Sequence, residues 1–210
     1  MRPLVVTEFT TLDGVVQAPG GPDEDTSGRF TSGGWLVPFF DDTLERQITA
    51  WFSGVEDFLL GRGTYEIFAG AWPQAPDDDP IGVALNTRTK HVASRTLTSL
   101  DWSGARLVEG DVVDAVRALT AGDGGELQVH GSAGLVQTLL REDLVDELRL
   151  ITYPIVIGEG KRLFDDGAVP GTWRLRSSTT TPSGAITAAY ARAGDLRAGE
   201  FTLDSTPVTY

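Results

Sequence analysis

Segments typical of strands alternate with segments of helical periodicity through the first two thirds of the chain. Strands are predicted at residues 3–9, 58–60, 91–94, 106–108, 126–130 and 147–157, and helices follow near residues 41–55, 65–68, 111–121 and 132–141. Strands that are repeatedly followed by helices predict a mostly parallel central sheet with flanking helices. Residues 173–181 and 185–192 alternate like a closing hairpin. We therefore predict an α/β fold with a C-terminal antiparallel hairpin.

The chain of 210 residues is long enough for one ordinary domain with a substantial core. No internal repeat or linker divides it, and we predict one domain over residues 1–196 with a tail over residues 197–210. Residues 18–34 are rich in Pro, Gly, Ser and Asp and lack periodicity. A connection of this length predicts either a mobile lid or an insertion at a working site.

The charge of the chain limits its partners. Seventeen basic residues against 30 acidic ones give a net charge of −13, and such a field repels phosphate backbones and anionic lipid alike. A local arginine cluster remains able to hold one small anion. No apolar stretch approaches the ~20 residues that span a bilayer. We therefore expect a cytoplasmic protein that acts on a small molecule, without a nucleic-acid or membrane partner.

Cysteine is absent, and the only histidines are His91 and His130. The absence of cysteine excludes disulfides, thiol nucleophiles, iron–sulfur clusters and cysteine-ligated zinc. Two histidines are too few for a histidine-rich metal site, so we predict that the protein holds no metal.

Two glycine-containing turns, residues 61–64 and 131–134, each follow a predicted strand and precede a predicted helix. Ligands of open α/β sheets bind beyond the carboxyl ends of strands, where helix N-termini present free N–H groups. Each turn also supplies a hydroxyl, from Thr64 and Ser132, and Arg62 adds a guanidinium suited to phosphate oxygens. Neither the Rossmann nor the P-loop signature is present. Such glycines usually only make turns, but two of them in one sheet favour a ligand site.

Ser94 and Arg95 follow another predicted strand and form a third cluster of potential anion ligands. The alternative interpretation is a helix cap or a solvated turn. Ser132 after a strand is also reminiscent of the nucleophile of a serine hydrolase. However, His130 occupies the position two residues before it, where that motif requires glycine, so this third hypothesis is weak.

Several motifs in order along the chain resemble the dihydrofolate reductase-like superfamily. More narrowly, they are similar to stand-alone relatives of the reductase half of the bifunctional riboflavin-synthesis deaminase/reductase. The resemblance extends from about residue 4 to residue 192, and its motifs lie at residues 11–14, 59–66, 86, 90–97, 130–140, 144–148 and 154–164. Without cysteine, the chain lacks the zinc motif of the deaminase half, so we do not expect deamination.

The resemblance implies a mostly parallel sheet of eight or nine strands, NADPH as the cofactor and often a homodimer. The cofactor-binding residues that it implies are Gly61, Arg62 and Thr64 at the phosphates, Ser94 and Arg95 near the adenosine 2′-phosphate, and Gly131, Ser132, Ala133 and Gly134 under the pyrophosphate.

At the substrate side, the resemblance implies that Asp13 and Gly14 lie by the nicotinamide and the substrate. We predict Asp13 as the catalytic residue that orients the substrate or a water, and Gly14 and Glu45 as substrate-binding residues. Dihydrofolate reductases carry a buried carboxylate on the first helix, and Glu45 or Asp42 lies in that region here.

The leading hypothesis is an NADPH-dependent reductase of a pyrimidine-, pterin- or ribityl-type substrate, similar to the 5-amino-6-(5-phosphoribosylamino)uracil reductase of riboflavin biosynthesis. The alternative is a non-catalytic module of the same fold that binds NADPH or another nucleotide. We also predict a homodimer, because the apolar strand over residues 148–157 offers more β surface than a monomer readily covers.

Overall fold

The computed structural model describes residues 1–164, 166 and 168–200, and eight strands of this part form one sheet. The strands are β1 (Leu4–Thr11), β2 (Val55–Gly61), β3 (Thr89–Ala93), β4 (Ala105–Leu107), β5 (Glu126–Val129), β6 (Glu147–Tyr153), β7 (Trp173–Thr180) and β8 (Ile186–Arg192). They lie in the order β4-β3-β2-β5-β1-β6-β8-β7. The pairs among β1 to β6 are parallel, whereas β8 pairs antiparallel with both β6 and β7. The predicted α/β sheet with a closing hairpin is confirmed.

In the described part of the chain five α-helices flank the sheet, and three of them have an aspartate at the N-cap position. The helices are α1 (Asp42–Phe52), α2 (Arg62–Ala71), α3 (Pro80–Thr87), α4 (Val112–Ala121) and α5 (Ala133–Arg141). Asp41, Asp79 and Asp111 cap α1, α3 and α4, where each carboxylate accepts hydrogen bonds from backbone N–H groups of the first turn. None of these helices is long and apolar enough to cross a membrane.

The two faces of the sheet carry separate apolar cores, because successive side chains of a strand point to opposite faces. Leu4 and Val6 of β1 pack with residues of α4 and α5, such as Val116 and Val136. On the other face, Phe58 and other residues pack with α1.

The predicted strand over residues 147–157 is too long, and its expected position at an exposed edge is wrong. β6 ends at Tyr153, directly before Pro154, which has no N–H group for a ladder. β6 also lies between β1 and β8, while β7 is the edge strand beside β8. The exposed β surface therefore belongs to the terminal hairpin.

Two other segments differ from or refine the sequence-based predictions. α3 was not predicted, although Asp79 before Pro80 is a typical helix start. The long segment after β1 is packed into the core, since Ala18, Phe30 and Trp35 are each at most 5% exposed. This packing favours an insertion over an open lid. The predicted tail lies partly outside the described residues, at positions 201–210, so its boundary stays a prediction.

Candidate functional site

The two glycine turns predicted from the sequence meet at the carboxyl ends of neighbouring strands β2 and β5. The backbone N–H of Gly61 donates to the carbonyl of Gly131 over 3.3 Å. A Cβ atom on Gly61 would lie 3.0 Å from the backbone nitrogen of Ser132, which is closer than such contacts normally allow. Glycine at position 61 therefore permits the starts of α2 and α5 to lie side by side.

The first turns of α2 and α5 have no side-chain cap. Neither Gly61 nor Ser132, the residues at the cap positions, makes a side-chain hydrogen bond to its helix. By contrast, each of the other three helices is capped by the side chain of an aspartate. Uncapped N–H groups and the positive end of the helix dipole favour an anionic ligand.

Gly131 lies against the start of α2 in a conformation that favours glycine. Its φ is +83°, in the left-handed region that favours glycine, and the peptide bond to Ser132 is cis. A Cβ atom at this position would lie 2.9 Å from Oγ1 of Thr64, which is buried at the start of α2. The structure therefore brings the predicted Thr64 and Gly131 into direct proximity.

The remaining residues of the turns lie at the surface. Gly134 is exposed, and a Cβ atom added to it would have no neighbour within 4 Å. Ala133 precedes it at the first position of α5. Arg62 is exposed and forms a 3.2 Å ion pair with Glu66 one turn further along α2. The start of α5 is therefore open, and the guanidinium of Arg62 is available at the start of α2.

Ser94 and Arg95 follow β3, beside the glycine turns. The register pairs Gly61 of β2 with Ala93 of β3, so the next residues of both strands leave the sheet together. Oγ of Ser94 accepts hydrogen bonds from the N–H groups of Thr96 and Leu97 over 3.2 and 3.0 Å. Ser94 therefore caps a turn, which agrees with the alternative interpretation of this cluster as a cap or a solvated turn. Arg95 is exposed.

Glu8, which the sequence analysis did not single out, is a buried acid in the middle of this region. It is 8% exposed, and its Oε1 atom has no hydrogen-bond partner among the described residues. Oε1 lies 3.6 Å from the place that a Cβ atom on Gly131 would occupy. Burial raises the pKa of Glu8 to about 8, because desolvation disfavours the charged form. A charged residue within an apolar strand was the signal available in the sequence.

Asp13 holds the backbone that follows β6. Its carboxylate accepts hydrogen bonds from Oγ1 of Thr11 over 2.6 Å and from the N–H groups of Gly158 and Ile157 over 2.8 and 3.2 Å. It also pairs with Arg162 at 3.3 Å. These hydrogen bonds, that from Thr11 foremost, lower the pKa of Asp13 to about 2. Asp13 is therefore an ionised acceptor at neutral pH.

Among the other residues predicted at the substrate side, Gly14 is half-buried beside open space, and those on α1 are exposed. Gly14 follows Asp13 with φ +82°, and nothing lies within 4 Å of a Cβ atom built there. Glu45 and Asp42 are exposed in the first turn of α1, where acidic side chains favour the helix dipole. Neither supplies the buried carboxylate expected on the first helix. The substrate-binding role of Glu45 stays a prediction.

An aromatic cluster lies between the end of β6 and the segment before α1. The ring of Tyr153 is 5.4 Å from Trp35 and 6.1 Å from Phe39, between ring centroids. Its buried hydroxyl has no hydrogen-bond partner in the described part of the chain, and burial raises its pKa. Tyr153 is in register with Thr11, so this cluster lies close to Asp13.

The histidines do not form a catalytic arrangement with Ser132. Nε2 of His130 lies 3.0 Å from Oε1 of Gln128, and the ring stacks on Phe52 and Phe58 on the α1 face of the sheet. Burial lowers the pKa of His130 to about 3. His91 lies on β3 near Asp57. The serine hydrolase hypothesis therefore lacks its general base.

The sheet and its flanking helices have the dihydrofolate reductase-like fold. Dihydrofolate reductase from Enterococcus faecalis, solved in complex with NADP(H), superposes with a TM-score of 0.56 at 16% identity, over 90% of this chain and 96% of that one. Residues 2–187 match the family described as the RibD C-terminal domain, and the chain belongs to that family.

Individual relatives agree with this membership. A Shewanella sp. PV-4 protein whose name assigns it to riboflavin biosynthesis has a TM-score of 0.70 at 22% identity, over 91% of this chain and 99% of that one. The uncharacterized protein YyaP of Bacillus subtilis strain 168 is 25% identical over 192 residues, which are 90% of this chain and 94% of YyaP. The suspected resemblance is confirmed.

Proposed function

We propose that the protein is an NADPH-dependent reductase that transfers hydride to a C=N or C=O bond of a pyrimidine-, pterin- or ribityl-type substrate. The reaction would resemble reduction of 5-amino-6-(5-phosphoribosylamino)uracil. The observation that carries the proposal is the pair of adjacent, uncapped helix starts at the ends of β2 and β5. Membership of the RibD C-terminal domain family supports the reductase class.

The residues of this region fit the phosphates of NADPH. Backbone N–H groups at Ala133 and Gly134 are suited to the pyrophosphate, and Oγ1 of Thr64, at the start of α2, lies beside Gly131 in the same turn. Arg62 and Arg95 are exposed guanidiniums that would balance the charge of a 2′-phosphate. When bound, NADPH supplies the hydride, and the protein contributes binding and orientation.

At the substrate side, the proposal gives Asp13 the role of a positioning residue. Its low pKa keeps it ionised, so it accepts hydrogen bonds from the turn at residues 157–158 and does not donate a proton. Gly14 and Glu45 complete the proposed substrate side, since the space beside Gly14 after the end of β1 is open and Glu45 is exposed at the start of α1.

The alternative, a module that binds NADPH or another nucleotide without turnover, is favoured by one observation. The acidic residues in the first turn of α1 are exposed, so this helix supplies no buried proton donor. NADPH and NADH titrations by fluorescence test the cofactor, and NADPH oxidation with pyrimidine and pterin acceptors tests the reaction. Tight NADPH binding with no oxidation by any acceptor would favour the module. Absence of NADPH binding would contradict the reductase and would restrict the alternative to a module for another nucleotide.

A further inference from the structure

Glu8 lies on β1 at a position where the pattern of the strand predicts an apolar core residue. Side chains two residues apart on a strand share a face, so Glu8 follows Leu4 and Val6 of β1 on the face of α4 and α5. Its neighbour on β6 is Leu150, and on the other side its Oε1 atom lies 3.6 Å from the place of a Cβ atom on Gly131, just beyond the end of β5. Buried polar atoms almost always have hydrogen-bond partners. An unpartnered carboxyl oxygen at this point indicates a group that binds something beyond the chain.

The unpartnered oxygen lies at the turn that leads into α5. Oε1 of Glu8 and Oγ1 of Thr64 lie 3.6 and 2.9 Å from the same point, the place of a Cβ atom on Gly131. Directly after this turn come the uncapped first residues of α5. A polar side chain that is more than nine-tenths buried therefore adjoins an N-terminus that lacks its own cap.

Charged groups on the surrounding elements are engaged elsewhere. On α2, Arg62 is exposed and pairs with Glu66. On β5, His130 lies on the opposite face of the sheet, stacked on Phe52. Beyond the end of β1, Asp13 is bound by the turn after β6 and by Arg162, as described above. Burial is accordingly the cause of the raised pKa of Glu8.

We propose that Glu8, as a neutral carboxylic acid, donates its hydroxyl to the anion held at the start of α5, so that ionisation of Glu8 weakens binding of this anion at alkaline pH. The inference rests on the proposed function, in which the anion is the pyrophosphate of NADPH. A neutral acid offers one donor to a phosphate oxygen, whereas a carboxylate only accepts and repels the phosphate.

The test measures the NADPH dissociation constant from about pH 6 to about pH 10 for three proteins. For the wild type, the constant should be level below pH 8 and rise up to about tenfold per pH unit above it. Glu8→Gln should remove this rise, because the amide is neutral at every pH and still donates a hydrogen bond. Glu142→Gln, which alters an exposed glutamate at the far end of α5, should follow the wild type.

The outcomes separate this inference from the function on which it rests. NADPH binding at pH 6 with parallel profiles for the wild type and Glu8→Gln would overturn the role of Glu8 and leave the proposed function standing. Lack of NADPH binding by the wild type at pH 6 would overturn both.

A second measurement uses the wild-type protein, so it tests the inference even if Glu8→Gln does not fold. Calorimetry in buffers of different ionisation enthalpy gives the protons taken up when NADPH binds. At pH 8, where about half of Glu8 is ionised in the free protein, binding should take up about half a proton. No uptake would contradict the inference.

Discussion

Gly61 at the end of β2 and Ser132 before α5 lie in such close contact that a side chain on Gly61 would meet the backbone nitrogen of Ser132 at 3.0 Å. Two residues 71 positions apart thereby bring the N-termini of α2 and α5 together at the carboxyl ends of β2 and β5. The proposed anion site depends on this contact, because neither helix start is capped by a side chain of its own. The first two predictions concern this site.

A negative charge at the start of α5 should weaken NADPH binding without harming the fold. Gly134 is exposed, and an added side chain would meet nothing within 4 Å, so both Gly134→Asp and Gly134→Asn should fold. We expect at least about tenfold weaker NADPH binding for the aspartate variant than for the asparagine variant, since the two differ mainly in charge. The readout is fluorescence titration. Equal affinities would remove the start of α5 from the cofactor site.

Arg95 should discriminate between NADPH and NADH. If its guanidinium contacts the 2′-phosphate, Arg95→Ala should lose roughly 1.5–3 kcal/mol of NADPH binding and leave NADH binding almost unchanged. Arg88→Ala is the matched control, because Arg88 is also exposed but precedes β3 at the opposite end of the strand. A wild type that binds both cofactors equally well would contradict the assignment.

Glu8 should make the protein less stable as the pH rises towards 8. Between pH 4.5 and about 8 the acid is protonated in the folded state and ionised in the unfolded state, so its contribution falls by about 1.4 kcal/mol per pH unit. His130 acts in the opposite sense between about pH 3 and pH 6.5, where only the unfolded state binds its proton. The two residues therefore change the free energy of unfolding in opposite directions below pH 6.5, and above pH 6.5 the effect of Glu8 dominates.

Glu8→Gln should therefore abolish most of the loss of stability between pH 6.5 and 8, about 2 kcal/mol in the wild type. Urea unfolding at several pH values gives this difference, with Glu142→Gln, at an exposed glutamate, as the control. A wild type whose stability is level over this interval, or a glutamine variant with the same slope, would mean that Glu8 is ionised in the folded protein.

Asp13 should act through the backbone that it holds. Asp13→Asn removes charge-assisted hydrogen bonds to the turn at residues 157–158, and we expect a loss of about 1 to 3 kcal/mol in the free energy of unfolding. The lowered pKa means that this contribution is present above pH 3.8 and is lost as the pH falls through about 2. NADPH affinity should change little. An unchanged stability with lost NADPH oxidation would instead support a direct catalytic role.

The terminal hairpin should form the contact of a homodimer, which stays a prediction. β7 is an edge strand whose side chains are almost all exposed, and Leu175 is 51% exposed. An edge of this kind invites pairing with a second copy. Leu175→Glu should yield a monomer in light scattering, whereas Val83→Glu, at an exposed apolar position of α3, should not. A wild-type species of 22.5 kDa at micromolar concentration would reject the dimer.

Local sequence patterns were sufficient for the order of the eight strands and of four of the five described α-helices, and for the two glycine turns. The helices predicted near residues 41–55 and 111–121 do follow the caps Asp41 and Asp111, because a cap is formed by residues two or three positions apart. α3 carries the same signal at Asp79 but was not recognised. The length of β6 was overestimated, although Pro154 marks its end.

The sequence alone determined the α/β class, the turns at residues 61–64 and 131–134, and the family resemblance, because these depend on neighbouring residues and ordered motifs. The tertiary structure alone decided that Glu8 is buried beside Gly131 and that β6 lies inside the sheet. A glutamate in a strand usually faces solvent. Its burial here depends on which strands and helices cover it, and those lie more than fifty residues away along the chain.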